Sequence, residues 1–254
     1  MKRRIYILVL IASLFLVLSC SKDKEENPYH FTEISEITQF LSQFDWRLFV
    51  DIENLENGMM ELSVDVDRRG ATLDLDDTYS LTVNGNSLPY EPHPIFSNSL
   101  YFGPIEMPPP SDVKVILKRQ DEVLFEKNVR LAAIPQITSF PDNPDWSKDI
   151  TVKWNLSRNS HVQILTADTN HYNESQLRDY PLSPSARYFT IPANDLYMEQ
   201  VSSYFVGVYQ FNFSQYKNNI LCCVTADNVY EIEDEEGHEP SLFVMKERLL
   251  KQGR

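Results

Sequence analysis

Three kinds of side chain in this sequence could do chemistry: five histidines, three cysteines and 37 aspartates and glutamates. Histidine suits proton transfer or metal ligation, and a thiolate is a strong nucleophile. Spacing decides what such groups can do. His30, His93, His161, His171 and His238 are scattered, with no HExxH pair for zinc and no GxSxG nucleophile turn. A P-loop and a Gly-rich dinucleotide turn are absent as well. The acids gather at Asp74, Asp76 and Asp77, and again at Glu231, Glu233, Asp234, Glu235, Glu236 and Glu239 around His238. Carboxylate oxygens suit calcium, but the EF-hand spacing is missing and a charge run is ordinarily a solvated loop. No metal and no cofactor is expected. Glycoside hydrolysis needs two carboxyl groups about 5–10 Å apart in a cleft, which a sandwich of about 100 residues rarely offers. The expectation is a protein that is not an enzyme.

The thiols read differently from one another. Cys222 and Cys223 are adjacent. Neighbours on a strand point to opposite faces, and a disulfide between them would need distorted geometry. They read as small residues of a core strand, with the outward one open to oxidation in an oxidising compartment.

Cys20 ends a different pattern. Lys2, Arg3 and Arg4 precede an uncharged apolar run from Ile5 to Leu18, and Ser19-Cys20 closes it. That is the charged, apolar and small-residue order of a secretory signal. Fourteen helical residues would span about 21 Å, short of a hydrocarbon core of about 30 Å. Leu16-Val17-Leu18-Ser19-Cys20 resembles the lipobox of bacterial lipoproteins, with Val17 as the aliphatic residue and Ser19 as the small one. The resemblance implies lipidation of the Cys20 thiol, cleavage before it and acylation of the new amino group. Two or three acyl chains anchor stably where a single chain binds marginally. Ser21 is not the Asp that favours inner-membrane retention in enteric-type lipoproteins. Lys22-Asp23-Lys24-Glu25-Glu26 resembles the export signal of some surface lipoproteins, although Lys24 interrupts its acids; the stretch also reads as a solvated tether. The implied location is the outer membrane, lipid-anchored and facing the cell surface.

Composition bounds the remainder. Three of the 23 Lys and Arg lie in residues 1–19, which leaves 20 against 37 acids, a net charge of −17. Such a surface argues against nucleic acid and against electrostatic docking on anionic lipid. The acyl chains are then the only expected membrane contact. A hydrophobic content of 42% with 12% aromatics is enough for real cores. Seven Gly against 15 Pro leaves turns to Pro, Asn and Asp.

The elements follow from periodicity. Residues 31–44 place Phe31, Ile34, Ile37, Phe40, Leu41 and Phe44 at helical spacing, with Thr32 as N-cap. From Trp46 the period becomes two. Met60, Leu62, Val64 and Val66 alternate with polar residues, as do Leu73 and Leu75, and then Tyr79, Leu81 and Val83. Asn84-Gly85 predicts a tight hairpin. Residues 89–110 read as a Pro-rich connection with one short strand at Leu100–Phe102. Val113, Val115 and Leu117 turn at Gln120-Asp121 and return through Val123, Phe125 and Val129. Seven or so short strands in about 85 residues point to a sandwich.

A second unit begins at Ile134-Pro135. Gln136–Phe140 is a strand, and Ile150, Val152, Trp154 and Leu156 face inward, continued by Val162 and Ile164, with Gln163 outward. Residues 167–185 read as a polar loop, Tyr188–Ile191 as a strand and Pro192–Leu196 as a helical turn. Tyr204–Phe213 is apolar on both faces, as at a sheet centre, and Ile220–Ala226, Asn228–Ile232 and Leu242–Leu249 complete the unit. ITSFPDNPDWSKDITVKWNL with RYFTIPANDL and SYFVGVYQF resembles the fibronectin type III or immunoglobulin-like modules of secreted bacterial proteins. No antibody-type Cys pair is present.

The expected fold is all-β: two immunoglobulin-like β-sandwich modules in series behind a signal peptide (1–19), a lipidated tether (20–30) and one short helix. The modules would span 31–134, with the leading helix, and 135–254. The expected role is ligand binding or adhesion at the membrane, toward a glycan or a protein. Trp146, Tyr172, Tyr180 and Tyr101, with Phe102 beside it, are candidate stacking residues on loops at the sandwich ends; closing the ends of the cores is their other reading. The alternative role is an assembly lipoprotein that docks a partner through a sheet edge or the 31–44 helix.

Overall fold

The computed structural model describes residues 28–54, 58–69, 79–92, 100–108, 112–171 and 174–232. Cys20, Tyr172, the acids Asp74, Asp76 and Asp77, the run from 233 to 239 and the strand expected at Leu242–Leu249 lie outside them. Residues 31–254 form one compact unit. Its described elements are one helix, α1 (Ile34–Leu41), and fifteen strands.

The first eight strands are β1 (Trp46–Asn54), β2 (Met60–Arg68), β3 (Tyr79–Val83), β4 (Asn86–Ser87), β5 (Tyr90–Pro92), β6 (Leu100–Met107), β7 (Asp112–Arg119) and β8 (Glu122–Arg130). They divide as β1-β2-β6-β5 against β4-β3-β7-β8. First, second, fifth and sixth strands in one sheet and third, fourth, seventh and eighth in the other is the immunoglobulin plan. The remaining strands are β9 (Gln136–Ser139), β10 (Ile150–Asn155), β11 (Val162–His171), β12 (Glu174–Leu182), β13 (Tyr188–Ile191), β14 (Ser203–Tyr216) and β15 (Asn219–Ile232). They divide as β13-β10-β9 against β12-β11-β14-β15. The fold class is all-β with two immunoglobulin-like sandwiches, as the alternation implied.

One feature of the topology has no counterpart in the sequence pattern. β1 pairs in parallel with β15, from Trp46 opposite Asn219 to Asp51 opposite Val224. One sheet from each half therefore belongs to a single eight-stranded sheet, β12-β11-β14-β15-β1-β2-β6-β5. Two apolar clusters lie on its inner face. The first joins Leu48, Val50, Leu62, Leu81, Leu117 and Phe125 to Leu221 and Cys223 of β15. The second joins Trp146, Val152 and Trp154 to Leu165, Ala167, Val206 and Val208. A buried polar row, Gln163 opposite Gln210 and Gln210 opposite Thr225, crosses the sheet beside them.

The chain between the halves is tied down by side chains rather than by a ladder. The Ala132 N–H donates to Cys223 Sγ at 3.2 Å, Thr225 Oγ1 donates to the Ala133 carbonyl at 2.7 Å, and the Ile137 N–H donates to Asp227 Oδ2 at 2.5 Å. Residues 223, 225 and 227 share one face of β15. They supply partners to buried backbone that regular pairing leaves unserved.

The opposite face is covered at one place by α1. Its first turn is held by Glu36, whose carboxylate accepts from the Thr32 N–H and hydroxyl. Thr32 thus stands one place outside the helix, and Glu33 rather than Thr32 is the N-cap. Ile34, Ile37, Thr38 and Leu41 are buried. Phe40 packs on Phe213 of β14 at 5.6 Å between ring centroids. Gly207 of β14 faces the same way as Phe205 and Tyr209. A Cβ there would come within 2.7 Å of the Phe205 ring and 2.8 Å of the Tyr209 ring. Gly207→Ala is expected to cost about 1–3 kcal/mol through overpacking, read as a lower urea midpoint at unchanged slope.

Several elements differ from expectation. The Pro-rich stretch holds two strands, β5 and β6, and β6 continues through Pro104 to Met107. Between the pairs Leu62–Ile105 and Val64–Phe102, Ser63 faces both Gly103 and Pro104. Pro104 sits in that bulge, where a missing N–H breaks no ladder bond. Residues 167–185 are not a loop. They hold the end of β11 and all of β12, paired from Gln163–Leu182 to His171–Glu174. β12 is an edge strand with polar residues on both faces, so no apolar alternation marks it. Gln163 is fully buried, because Leu165 and Ala167, rather than Val162 and Ile164, face the second core. Residues 193–196 form a turn, with Asn194 at φ 67°.

Candidate functional site

The aromatic residues singled out from the sequence do not converge. Trp146 is buried at 7% exposure and packs edge-on against Tyr204, 5.7 Å between centroids. It closes the end of the second core, the other reading of that residue. A ring that stacks on a ligand must show a face to solvent, and here the chain folds over it. Tyr101 lies half-buried on β6 in the first half, opposite Asp65 and Glu91. Tyr180 lies half-buried on β12. Its ring packs on Phe189 at 4.8 Å, and its hydroxyl donates to Asp195 Oδ2 at 3.1 Å. Burial, then the Asp195 bond, pushes the Tyr180 hydroxyl well above the usual phenol range. It stays protonated and serves as a donor. Phe102 is buried in the first core.

The exposed large side chains lie elsewhere. Tyr188 on β13 is 67% exposed, and Tyr197, Tyr230 and Leu177 are exposed as well. Tyr188 opens one expected strand and Tyr230 lies in the middle of another, Asn228–Ile232, positions where an aromatic ordinarily faces a core. Tyr197 accepts a bond at its carbonyl from Gln176 Nε2 of β12 at 3.2 Å. Tyr180, Asp195, Gln176 and Tyr197 therefore lie along one side of the second sandwich.

Histidine chemistry is constrained by its partners. His161 Nδ1 accepts from the Phe213 N–H at 3.0 Å, which fixes the neutral ring with its proton on Nε2. Burial, then Arg130, lowers its pKa. His171 Nδ1 lies 2.6 Å from Ser202 Oγ, a spacing that a nucleophile and its base also use. A hydrolytic site needs in addition a carboxylate behind the ring and donors aimed at an oxyanion. Asp168 accepts from Asn170 Nδ2 at 3.1 Å and from Ser175 Oγ at 2.9 Å. No group of three or more His, Cys, Asp or Glu among the described residues could hold a metal.

Both described cysteines are free thiols and fully buried. Cys223 joins the first core, and Cys222 points to the opposite face beside Phe213. Neither is outward, so the expected exposed thiol is not there. Burial raises both, Cys223 to about 12, so both remain protonated at neutral pH.

The turn before β10 carries one resolved ionic contact. Lys148 Nζ lies 2.6 Å from Asp145 Oδ2, and Ser147 donates to Asp145 Oδ1 through its hydroxyl at 2.6 Å. These bonds, Lys148 first, hold the Asp145 carboxyl at about 2. A depressed acid stabilises the fold fully above its unfolded value near 3.8 and loses that contribution as pH falls toward about 2. An NMR titration should find Asp145 half-protonated near pH 2, and Lys148→Ala should move it up toward 3.8.

Comparison with known proteins adds little to this geometry. No family model matches the chain, and no curated protein matches it. A solved structure titled "Cytokine receptor complex - Crystal form 1A" is similar at 13% identity and a TM-score of 0.27, covering 68% of this chain and 93% of that one. That likeness is too slight to argue from. The fold assignment rests on strand order.

Proposed function

We propose that this protein is a non-enzymatic bacterial lipoprotein, held in the outer membrane by acyl chains on Cys20, facing the cell surface and binding a glycan or protein ligand. The observation that supports it is the Leu16–Cys20 lipobox behind a charged, apolar signal, followed by a mature chain of net charge −17. An acidic ectodomain is repelled by anionic headgroups, so acyl chains must do the anchoring.

Orientation and binding can be tested separately. Protease added to intact cells should degrade the protein; survival until the membrane is permeabilised would place it in the periplasm. A glycan array should show binding by the wild type that Tyr188→Ala weakens, since that ring is the most exposed aromatic described and its loss leaves the cores intact. An array without any bound glycan would exclude the glycan ligand.

A second reading, an assembly lipoprotein that docks a partner, is favoured by β12, which has a strand partner on one side only among the described residues. The helix is a poor candidate for that contact, because Ile34, Ile37 and Leu41 are fully buried in the protein's own fold.

A further inference from the structure

The ends of the sheets are not equally protected. β5 spans three residues and β4 two. β8 is tied to the β14–β15 hairpin, with Lys127 Nζ donating to the Gln215 carbonyl at 2.9 Å and Asn219 Nδ2 to the Leu124 carbonyl at 2.5 Å. β9 is fastened to Asp227 of β15, and β13 has four residues. β12 is different. It runs for nine residues at the end of the eight-stranded sheet, paired on one side only among the described residues. Glu174, Ser175, Leu177 and Arg178 are exposed. A long, open edge is a template for another strand.

Its sequence says which strand fits. Pro181, opposite Ile164, has no N–H to give. On an edge strand a proline turns that side to the open flank, and alternation then turns the backbone groups of Ser175 and Leu177 outward too. Glu174, Gln176 and Arg178 share one sheet face. Two antiparallel copies related by a two-fold axis at Gln176 place Glu174 of each copy opposite Arg178 of the other, twice. Ser175 and Leu177 then exchange backbone bonds across the axis, the Leu177 carbonyl trading its 3.0 Å bond from Arg178 Nη1 for the Ser175 N–H of the other copy as Arg178 turns to Glu174. An axis at Leu177 pairs Glu174 with Tyr180, and an axis at Arg178 sets two guanidinium groups against each other. Only the Gln176 register pairs opposite charges, and cross-strand pairs of that kind stabilise a sheet where like charges oppose it.

We infer that β12 is a self-association edge: two copies of this chain join antiparallel along Glu174–Arg178, centred on Gln176, and extend the sheet from eight strands to sixteen. The interface is isologous and closes at two copies. This inference rests on the fold and is independent of the membrane anchor and of any ligand.

Cysteine cross-linking in the full-length chain within cells tests it. Gln176→Cys places two thiols directly opposite each other and should give a disulfide-linked dimer under mild oxidation, absent from the parent chain. Glu174→Cys sets them four residues apart, about 14 Å, and should give none. In the Gln176→Cys chain, Arg178→Glu should lower cross-linking at least tenfold, and Glu174→Arg added to it should restore the dimer. No dimer at 176, equal yields at 174 and 176, indifference to Arg178→Glu, or a link to a different protein would each overturn the inference.

Discussion

Cys20→Ala should shift the protein from the membrane pellet to the soluble fraction, with near-complete loss of membrane retention. Each buried acyl methylene contributes about 0.8 kcal/mol, one chain alone gives only marginal binding, and two or three chains hold stably. The lipobox resemblance places all of those chains on residue 20. The mature surface offers no substitute, because 37 acids face 20 bases beyond the signal. One complication has to be separated out. Without the thiol the signal can stay uncleaved, and its run from Ile5 to Leu18 would then remain attached. A second variant, with residues 1–20 replaced by an ordinary cleavable secretory signal, removes that ambiguity. Fractionation with intact mass measurement decides the matter. Retention of this second variant in the membrane would defeat the anchoring proposal.

Residues 31–134 expressed alone should fail to fold cooperatively, although that stretch holds a full immunoglobulin set of strands. Cutting there strips β1 of its parallel partner along Trp46–Asp51. It removes Leu221 and Cys223 from the first core. It also takes away Phe213, on which Phe31 and Phe40 pack. Losing one large buried side chain costs about 2–5 kcal/mol, while a whole domain has about 5–15 kcal/mol of stability. The losses together reach that range. The shortened chain should show no sigmoidal thermal transition and no dispersed amide spectrum, whereas residues 31–254 should unfold in one transition. A folded, two-state 31–134 fragment would show that the shared sheet contributes little.

The sequence was legible wherever one strand's environment repeats with period two or is uniform. β14 reads as apolar from Tyr204 to Phe213, and all ten residues are buried at the sheet centre. Asn84-Gly85 reads as a two-residue hairpin, and both residues have positive φ, 51° and 82°. The helix reads from its stripe; it spans Ile34–Leu41 of the expected 31–44, with Ile34, Ile37 and Leu41 buried and Phe40 half-buried. β12 was illegible because an edge strand has solvent on one flank and here polar residues on both faces. Trp146 carries two readings from the sequence for a related reason. A turn residue beside Asp145 and Ser147 looks exposed in a linear reading, but Tyr204, 58 positions further on, covers its ring.

What the sequence determined by itself is the all-β class, the turns, the charge of the mature chain and the expectation of an anchor at Cys20. These follow from local chemistry: alternation, turn propensity, net charge and a short motif. The tertiary structure alone decided that β1 and β15, about 170 positions apart, lie side by side and merge two sheets. It also decided which aromatics reach solvent and that β12 has a strand partner on one side only among the described residues. Periodicity reports whether a face is buried and carries no label for what buries it. Partner choice is set by long-range packing.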